Sequence, residues 1–355
     1  MRAIPRALLP LFFVPFLLLS TACQKSSDSS RASEGASTNG KATLVLGAYS
    51  VPREAYGKHI IPAFRAKWEK EKGQKLEVSE SYMASGAQAR AIVGGFEADV
   101  ASLSLDPDIQ KIQDAGLISH DWRKQPHDGI VTQSVVVIGV RKGNPKGISD
   151  WADLAKPGVS VLTPNVKTSG GAMWNVLAVY GAILRSEPSE GAEARAEELL
   201  AKILANVKIM DSSGRESFLN FERGVGDAII TYENEILVLP EAKRPDIVVP
   251  KSTLLIENPV ARVDAYTKKH NSEEIAQGFI DFLFSPEAQK AFASQGLRPV
   301  DEAVFSEVRS KFAPVENLFT VRDLGGWDHL KKTVFADGGV YDKALAKGRS
   351  AGKGS

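Results

Sequence analysis

From Thr43 onward the apolar residues alternate between short runs and helix-spaced stripes. Thr43-Leu44-Val45-Leu46 predicts a strand ending at Gly47-Ala48. Arg53 to Lys72 predicts a helix whose stripe is Ala55, Ile60-Ile61, Phe64 and Trp68, with a kink at Pro62. Strands are expected at Leu76–Val78 and Ala98–Leu103, with a short helix from Ala87 to Gly94 between them. Val135-Val136-Val137-Ile138 is the most β-branched run in the chain and marks a strand from Thr132 to Val140. A second series follows, with strands at Val159–Leu162, Val207–Met210 and Ala228–Ile230. Its helices are expected at Gly170–Ile183, Ala192–Leu204 and Glu216–Glu222. Strand character returns near Leu254–Val263, before helices at Ser272–Phe284 and Pro286–Gln295. Strands separated by helices predict an α/β fold with a mainly parallel sheet. Two such series predict two lobes, the chain crossing near residues 131–141 and returning near 255–264. In such folds ligands sit at the carboxyl ends of strands, between lobes where there are two.

The N-terminus has a different pattern. Arg2 and Arg6 precede an apolar run from Leu8 to Leu19, then Ser20-Thr21-Ala22-Cys23. Positive charge, a short apolar core and small residues before a cut site describe an export signal. The run is shorter than the roughly 20 residues a spanning helix needs, and Pro10 and Pro15 weaken it as a helix. A cysteine directly after Thr-Ala resembles the lipobox of bacterial lipoproteins, with Ser20 where leucine is usual. Cys23 is therefore the expected lipidation point, and an ordinary secretory cut near Ala22 is the alternative. From Gln24 to Gly40 the chain is rich in serine and lacks aliphatic and aromatic residues beyond alanine, the composition of a flexible tether. The expected layout is a signal peptide at 1–22, a tether at 23–40, lobe I at 41–131 and 255–340, lobe II at 132–254, and a tail at 341–355. Export to the periplasm or cell envelope, with membrane tethering through Cys23, follows from it.

Composition narrows the chemistry. The chain has 355 residues with 44 basic against 43 acidic, which offers no basic excess for nucleic acid. Cleavage before Cys23 removes Arg2 and Arg6, leaving 42 basic residues against 43. The single cysteine excludes an intramolecular disulfide and a thiolate-rich metal site. Five histidines without an HExxH pair give no sign of a histidine-built metal centre, and no cofactor is expected.

Four junctions between strand and helix offer a serine: Tyr49-Ser50, Ser85-Gly86, Ser169-Gly170-Gly171 and Ser212-Ser213-Gly214. Glycine lets a ligand approach backbone N–H groups, and helix starts present free amides at the positive end of the dipole. Together they can hold a small anion, although each alone also makes an ordinary capped helix. The Walker A pattern GxxxxGK[ST] is absent. Trp68, Trp151 and Trp174 lie on apolar faces and are expected in the core, while His120 and His127 are expected in solvent.

Several longer phrases are more specific. GAYSVPREAY, ESYMASGAQARAIVGGFEADV, NPKGISDWADL, TSGGAMWN, NFERGVGDAIITYENE and FLFSPEAQKAFASQGLRPV occur in order over residues 42–340. In these the chain resembles the sulfate/thiosulfate-binding proteins of ATP-driven sulfate importers. The resemblance implies a two-lobed periplasmic binding-protein fold of type II, acting as a monomer that closes over one desolvated anion. It implies ligand contacts at Ser50, Ser85, Ser169, Gly170, Gly171, Gly214 and Tyr232, the Ser169 hydroxyl and several backbone amides donating. Family members often carry Asp at position 50, Ala at 214 and Pro at 166. At 232 they usually carry tryptophan, whose indole only donates, whereas a tyrosine hydroxyl also accepts.

Sulfate carries no proton at neutral pH, so a site built of donors suits it, whereas phosphate keeps a proton and calls for an acceptor. No carboxylate is expected in the pocket, and Arg53 and Arg215 are expected outside it. The implied activity is capture of sulfate or thiosulfate for an ABC importer permease, without catalysis. The alternatives are another tetrahedral oxyanion (molybdate, tungstate or phosphate), a signalling receptor using the same cleft, and an exported serine hydrolase using Ser85 or Ser169. The last lacks both GxSxG and a histidine near either serine in sequence.

Overall fold

A computed structural model describes residues 41–186 and 189–351. Cys23, the tether and the signal segment lie outside the described residues.

Among the described residues ten strands join in one sheet. They are β1 (Ala42–Tyr49), β2 (Leu76–Met83), β3 (Val100–Ser102), β4 (Ile130–Val140), β5 (Val161–Pro164), β6 (Val207–Asp211), β7 (Ala228–Tyr232), β8 (Asp246–Val248), β9 (Ser252–Arg262) and β10 (Asn317–Phe319). The order is β2-β1-β3-β9-β4-β7-β5-β6, with β10 beside β9 and β8 beside β4. Parallel pairing of β1 with β2 and β3 forms one half, and parallel pairing of β5 with β6 and β7 forms the other. The two long strands belong to both. β4 pairs antiparallel with β9 over Ile130–Val135 and then with β7 over Val136–Val140. β9 goes on to pair with β3 at Val260–Arg262. The architecture is α/β with two lobes joined by crossover strands.

The β-branched run in β4 is buried on both faces, which explains its lack of polar alternation. Val135 and Val137 pack with Phe218 and Phe221, while Val136 and Ile138 pack with Trp174 and Leu177. In the first lobe Leu44 and Leu46 pack with Phe64, Phe279 and Phe292, and the opposite face holds Ile92, Ile109 and Trp122. Trp68, Trp151 and Trp174 are all buried.

The helix expected from Arg53 to Lys72 forms as Arg53–Ala55, a π turn at Tyr56–Ile60, and Ile61–Lys72. Pro62 has no N–H to give the carbonyl four residues back, and the Ile61 N–H bonds Tyr56 O, five residues back. The kink is therefore a widened turn.

The C-terminal region departs from its expected place. Phe319, Val321, Leu324, Leu330, Val334, Tyr341 and Ala344 join the core of the second lobe, around Trp174 and Leu177. Residues Val340–Ala351 form a helix in which Gly348 lies against the backbone of Ala201 and Ala205. This segment is neither the end of lobe I nor a tail, because its apolar residues cover a face the second lobe would otherwise expose. His120 also differs from expectation, with Nδ1 2.7 Å from Asp264 Oδ2.

Candidate functional site

Each singled-out serine sits where a strand hands over to a helix. β1 stops at Tyr49, and Ser50 follows on a bend. Ser85 is the first residue of helix Ser85–Val93, entered from extended Ala84. Beyond β5, the chain through Thr168-Ser169 enters helix Gly170–Ser186. Beyond β6, Ser213 caps helix Gly214–Glu222 by accepting the Glu216 N–H at 3.1 Å. Tyr232 ends β7. Among the described residues, the N–H groups of Gly170, Gly171, Gly214 and Arg215 reach no backbone carbonyl, as first-turn amides do not.

Contacts across the lobes link these helix starts into one neighbourhood. A Cβ on Gly86 would lie 3.2 Å from Thr168 O, and one on Gly170 would lie 2.7 Å from Ser104 Oγ and 2.8 Å from Leu105 Cγ. Thr168 Oγ1 donates to Ser212 O at 2.8 Å, tying the Gly170 start to the Gly214 start. A Cβ on Gly214 would lie 4.0 Å from the side chain of Val51, the neighbour of Ser50. The Gly171 Cβ position is 3.3 Å from Ser169 Oγ and 3.5 Å from Tyr232 Cε1. Ser50 is placed only through its neighbours Tyr49 and Val51.

The hydroxyls are committed unequally. Ser85 Oγ donates to Asp108 Oδ2 at 2.6 Å and accepts the Ser104 N–H at 3.0 Å. Only its main chain is left for a ligand. Ser169 is buried, and its hydroxyl hydrogen-bonds no other described residue. Tyr232 Oη meets Ser104 Oγ at 2.7 Å. Burial raises the Tyr232 pKa, with Ser104 and Asn258 pulling against it.

Sequence reasoning missed the residues behind this site. Ser104 joins both lobes: its carbonyl accepts Trp174 Nε1–H and Asn258 Nδ2–H, each at 3.1 Å. Only the departure at Tyr232 hinted that a hydroxyl there needed a partner. Asp108 corrects the expectation of no nearby carboxylate. It reads in sequence as the polar start of an amphipathic helix, yet is buried, and burial raises its pKa against Ser85, Lys111 and Arg90. Arg215 lies between carboxylates of both lobes, 3.6 Å from Glu54 and 3.9 Å from Glu235. Burial pushes Glu235 up to about 7, with Arg215 opposing. Among the described residues no cluster of three or more His, Cys, Asp or Glu side chains is placed to hold a metal ion.

The arrangement brings helix N-termini and hydroxyls of the two lobes together. The sequence profile of the bacterial extracellular solute-binding proteins matches residues 54–298. The chain belongs to that family. A sulfate-binding protein of Synechococcus elongatus is 43% identical over 303 residues, covering 84% of this chain and 85% of that one. The thiosulfate-binding protein of Escherichia coli is 36% identical over 315 residues, covering 86% and 92%. Among solved structures, the sulfate-binding protein SubI from Mycobacterium tuberculosis superposes with a TM-score of 0.75 at 38% identity, over 82% of this chain and 98% of that one. A periplasmic thiamin binding protein reaches 0.63 at 15% identity, over 88% and 96%, and shares the fold alone. Among the described residues no helix is long and apolar enough to cross a membrane.

Proposed function

We propose that this chain is an extracytoplasmic receptor that captures sulfate, and thiosulfate as its near neighbour, and delivers it to an ABC importer permease. The observation that carries the reading is the meeting of the helix starts at Ser85, Gly170 and Gly214 between the lobes, with first-turn N–H groups that reach no backbone carbonyl at Gly170, Gly171 and Gly214. Peptide dipoles and hydroxyls can hold a dianion without a salt bridge. The relatives named for sulfate and thiosulfate support the same ligand class.

In this reading Ser50, Ser85, Gly170, Gly171 and Gly214 contact the anion through main-chain N–H, and Ser169 and Tyr232 through hydroxyls. In this reading Asp108 orients the Ser85 hydroxyl, which it holds through Oδ2, rather than meeting the ligand. Lobe I comprises residues 41–131 and 255 to about 316, and lobe II comprises 132–254 with the C-terminal segment. An open form admits the anion, and closure buries it. Cys23 supplies the lipid anchor, which mass spectrometry of the mature N-terminus tests directly.

Isothermal titration of the dialysed, monomeric protein with sulfate, thiosulfate, molybdate and phosphate tests the ligand. Sulfate or thiosulfate is expected to bind more tightly than about 1 μM, equivalent to roughly −8 kcal/mol. Failure of all four anions to reach that affinity sinks the reading. Ser169→Ala should weaken binding by about 1.5–3 kcal/mol, the range for a hydrogen bond to a charged group; unchanged affinity rejects that contact. Fluorophosphonate should label neither Ser85 nor Ser169, because the Ser85 hydroxyl is held by a carboxylate and Ser169 has no paired base.

A further inference from the structure

Tyr232 poses a problem for a site that selects unprotonated anions. A tyrosine hydroxyl has lone pairs as well as a proton, so by itself it can accept from a protonated oxyanion as readily as donate to a bare one. Its surroundings remove that freedom. Trp174 Nε1 lies 3.1 Å from Ser104 Oγ and 3.1 Å from Ser104 O, a shared bond from a group that can only donate. Ser104 Oγ lies 2.7 Å from Tyr232 Oη. The remaining side of Ser104 Oγ is covered by Gly170, whose Cβ position is 2.7 Å away, so no anion reaches it. With the indole hydrogen shared onto Ser104 Oγ, the direction that satisfies both hydroxyls has Ser104 donating to Tyr232 Oη. That bond fills a tyrosine lone pair and leaves the tyrosine proton for an acceptor on the Gly171 side of the ring, where the Gly171 Cβ position is 3.5 Å from Tyr232 Cε1. The two links among these three residues are buried at every member, so water does not compete for them.

We propose that Trp174, Ser104 and Tyr232 form a one-way donor relay that makes the Tyr232 hydroxyl a donor to the bound anion and so sets the preference for unprotonated oxyanions, an inference that rests on the oxyanion-receptor reading above. Ser104 is a positioning residue in this scheme, since it acts through Tyr232 and touches no ligand. Because Ser104 belongs to lobe I and Tyr232 to lobe II, the relay is complete only when the lobes meet. Selection against protonated anions is therefore exerted at closure.

The test is titration of the full chain with sulfate and with inorganic phosphate at neutral pH, where phosphate retains a proton. Wild type, Ser104→Ala, Tyr232→Phe and the double variant are compared, with thermal unfolding run on each. Ser104→Ala should lose roughly tenfold or more in sulfate affinity, the size of one hydrogen bond to a charged group, while phosphate affinity holds or rises. Ser104→Cys, which keeps the shape but donates weakly, should move the sulfate-to-phosphate ratio the same way. In the Tyr232→Phe background, Ser104→Ala should cost nothing further, since the relay has lost its last member. A Ser104→Ala variant that keeps the wild-type ratio, or losses that add in the double variant, overturns the relay alone. A wild-type chain that takes up neither anion overturns the receptor reading and the relay with it.

Discussion

Gly170→Ala separates closure from ligand chemistry. The substitution leaves the residue 170 N–H in place, so every donor to the anion survives. Position 170 does not need a positive φ, and alanine is the better helix former by about 0.8–1.0 kcal/mol. The added methyl, however, falls 2.7 Å from Ser104 Oγ, 2.8 Å from Leu105 Cγ and 3.0 Å from Ser104 Cβ, all atoms of the opposite lobe. Carbon atoms in good contact sit about 3.5–4.0 Å apart, so the lobes must separate by several tenths of an ångström beside the proposed anion site. Overpacking of this kind costs about 1–3 kcal/mol. That cost applies only to the closed form and appears as a roughly 5- to 150-fold loss of sulfate affinity. Thermal stability of the ligand-free protein should not fall. The neighbouring glycines grade the argument. At Gly171 the nearest atom would be Ser169 Oγ at 3.3 Å, which predicts a small loss, and at Gly214 it would be Val51 at 4.0 Å, which predicts none. Titration of the three alanine variants, with small-angle scattering before and after sulfate, measures both terms. If Gly170→Ala binds within twofold of wild type, or if Gly214→Ala is the worst of the three, steric gating at residue 170 is wrong.

Other predictions concern the frame. Arg298 and Glu233 form a buried ion pair through Nε and, at 3.0 Å, Nη2, so Arg298→Met should cost about 3–5 kcal/mol in urea unfolding. Burial already raises Glu233 while Arg298 opposes it, so the variant should retain its proton when folded and lose stability as pH rises; stability that grows with pH would contradict this. Burial pulls the His270 pKa down, but hydrogen bonds to Asp99 and Glu97 outweigh it and raise the group. Its contribution should be complete below the ordinary histidine value of about 6.5 and vanish as pH climbs through the raised one, a slope that His270→Asn should flatten in denaturation curves. A Cβ on Gly181 would lie 2.5 Å from Phe319 and 2.8 Å from Leu324. Gly181→Ala should therefore loosen the C-terminal segment at a cost of about 1–3 kcal/mol, read by urea unfolding and by earlier proteolysis near residue 320; unchanged stability would argue against that docking.

The alternation of strand and helix was legible because each element carries its own signal within about ten residues. The run at Val135–Ile138 announces a two-faced buried strand, and Ser285-Pro286 announces a helix start, where the Ser285 side chain indeed accepts the Ala288 N–H. The serine–glycine junctions were legible for the same reason. What escaped was whatever depends on a distant partner. The C-terminal residues from Phe319 to Ala344 are spaced by glycines and charges, and they make sense only against Trp174 and Leu177, more than a hundred positions away. Ser104 is followed by leucine, so no local pattern sets it apart from an ordinary strand end. Its importance comes from the four chain segments that reach it.

The segment after helix Pro286–Ser294 gives the hinge an unusual cross-section. Gln133 of β4 faces Glu257 of β9 on one edge and bridges Arg298 on the other, so a third chain segment is pinned by one residue beside the two strands where the lobes join. A pair of strands behaves as a cord, free to twist as well as to bend. Two strands pinned on one edge by a third segment behave more as a strap, with twisting hindered at the pinned residue. Opening and shutting should therefore follow one arc, like a leaf spring, and return the same atoms to the same contacts on every cycle. That repeatability is what a site assembled from residues of both lobes requires of its frame.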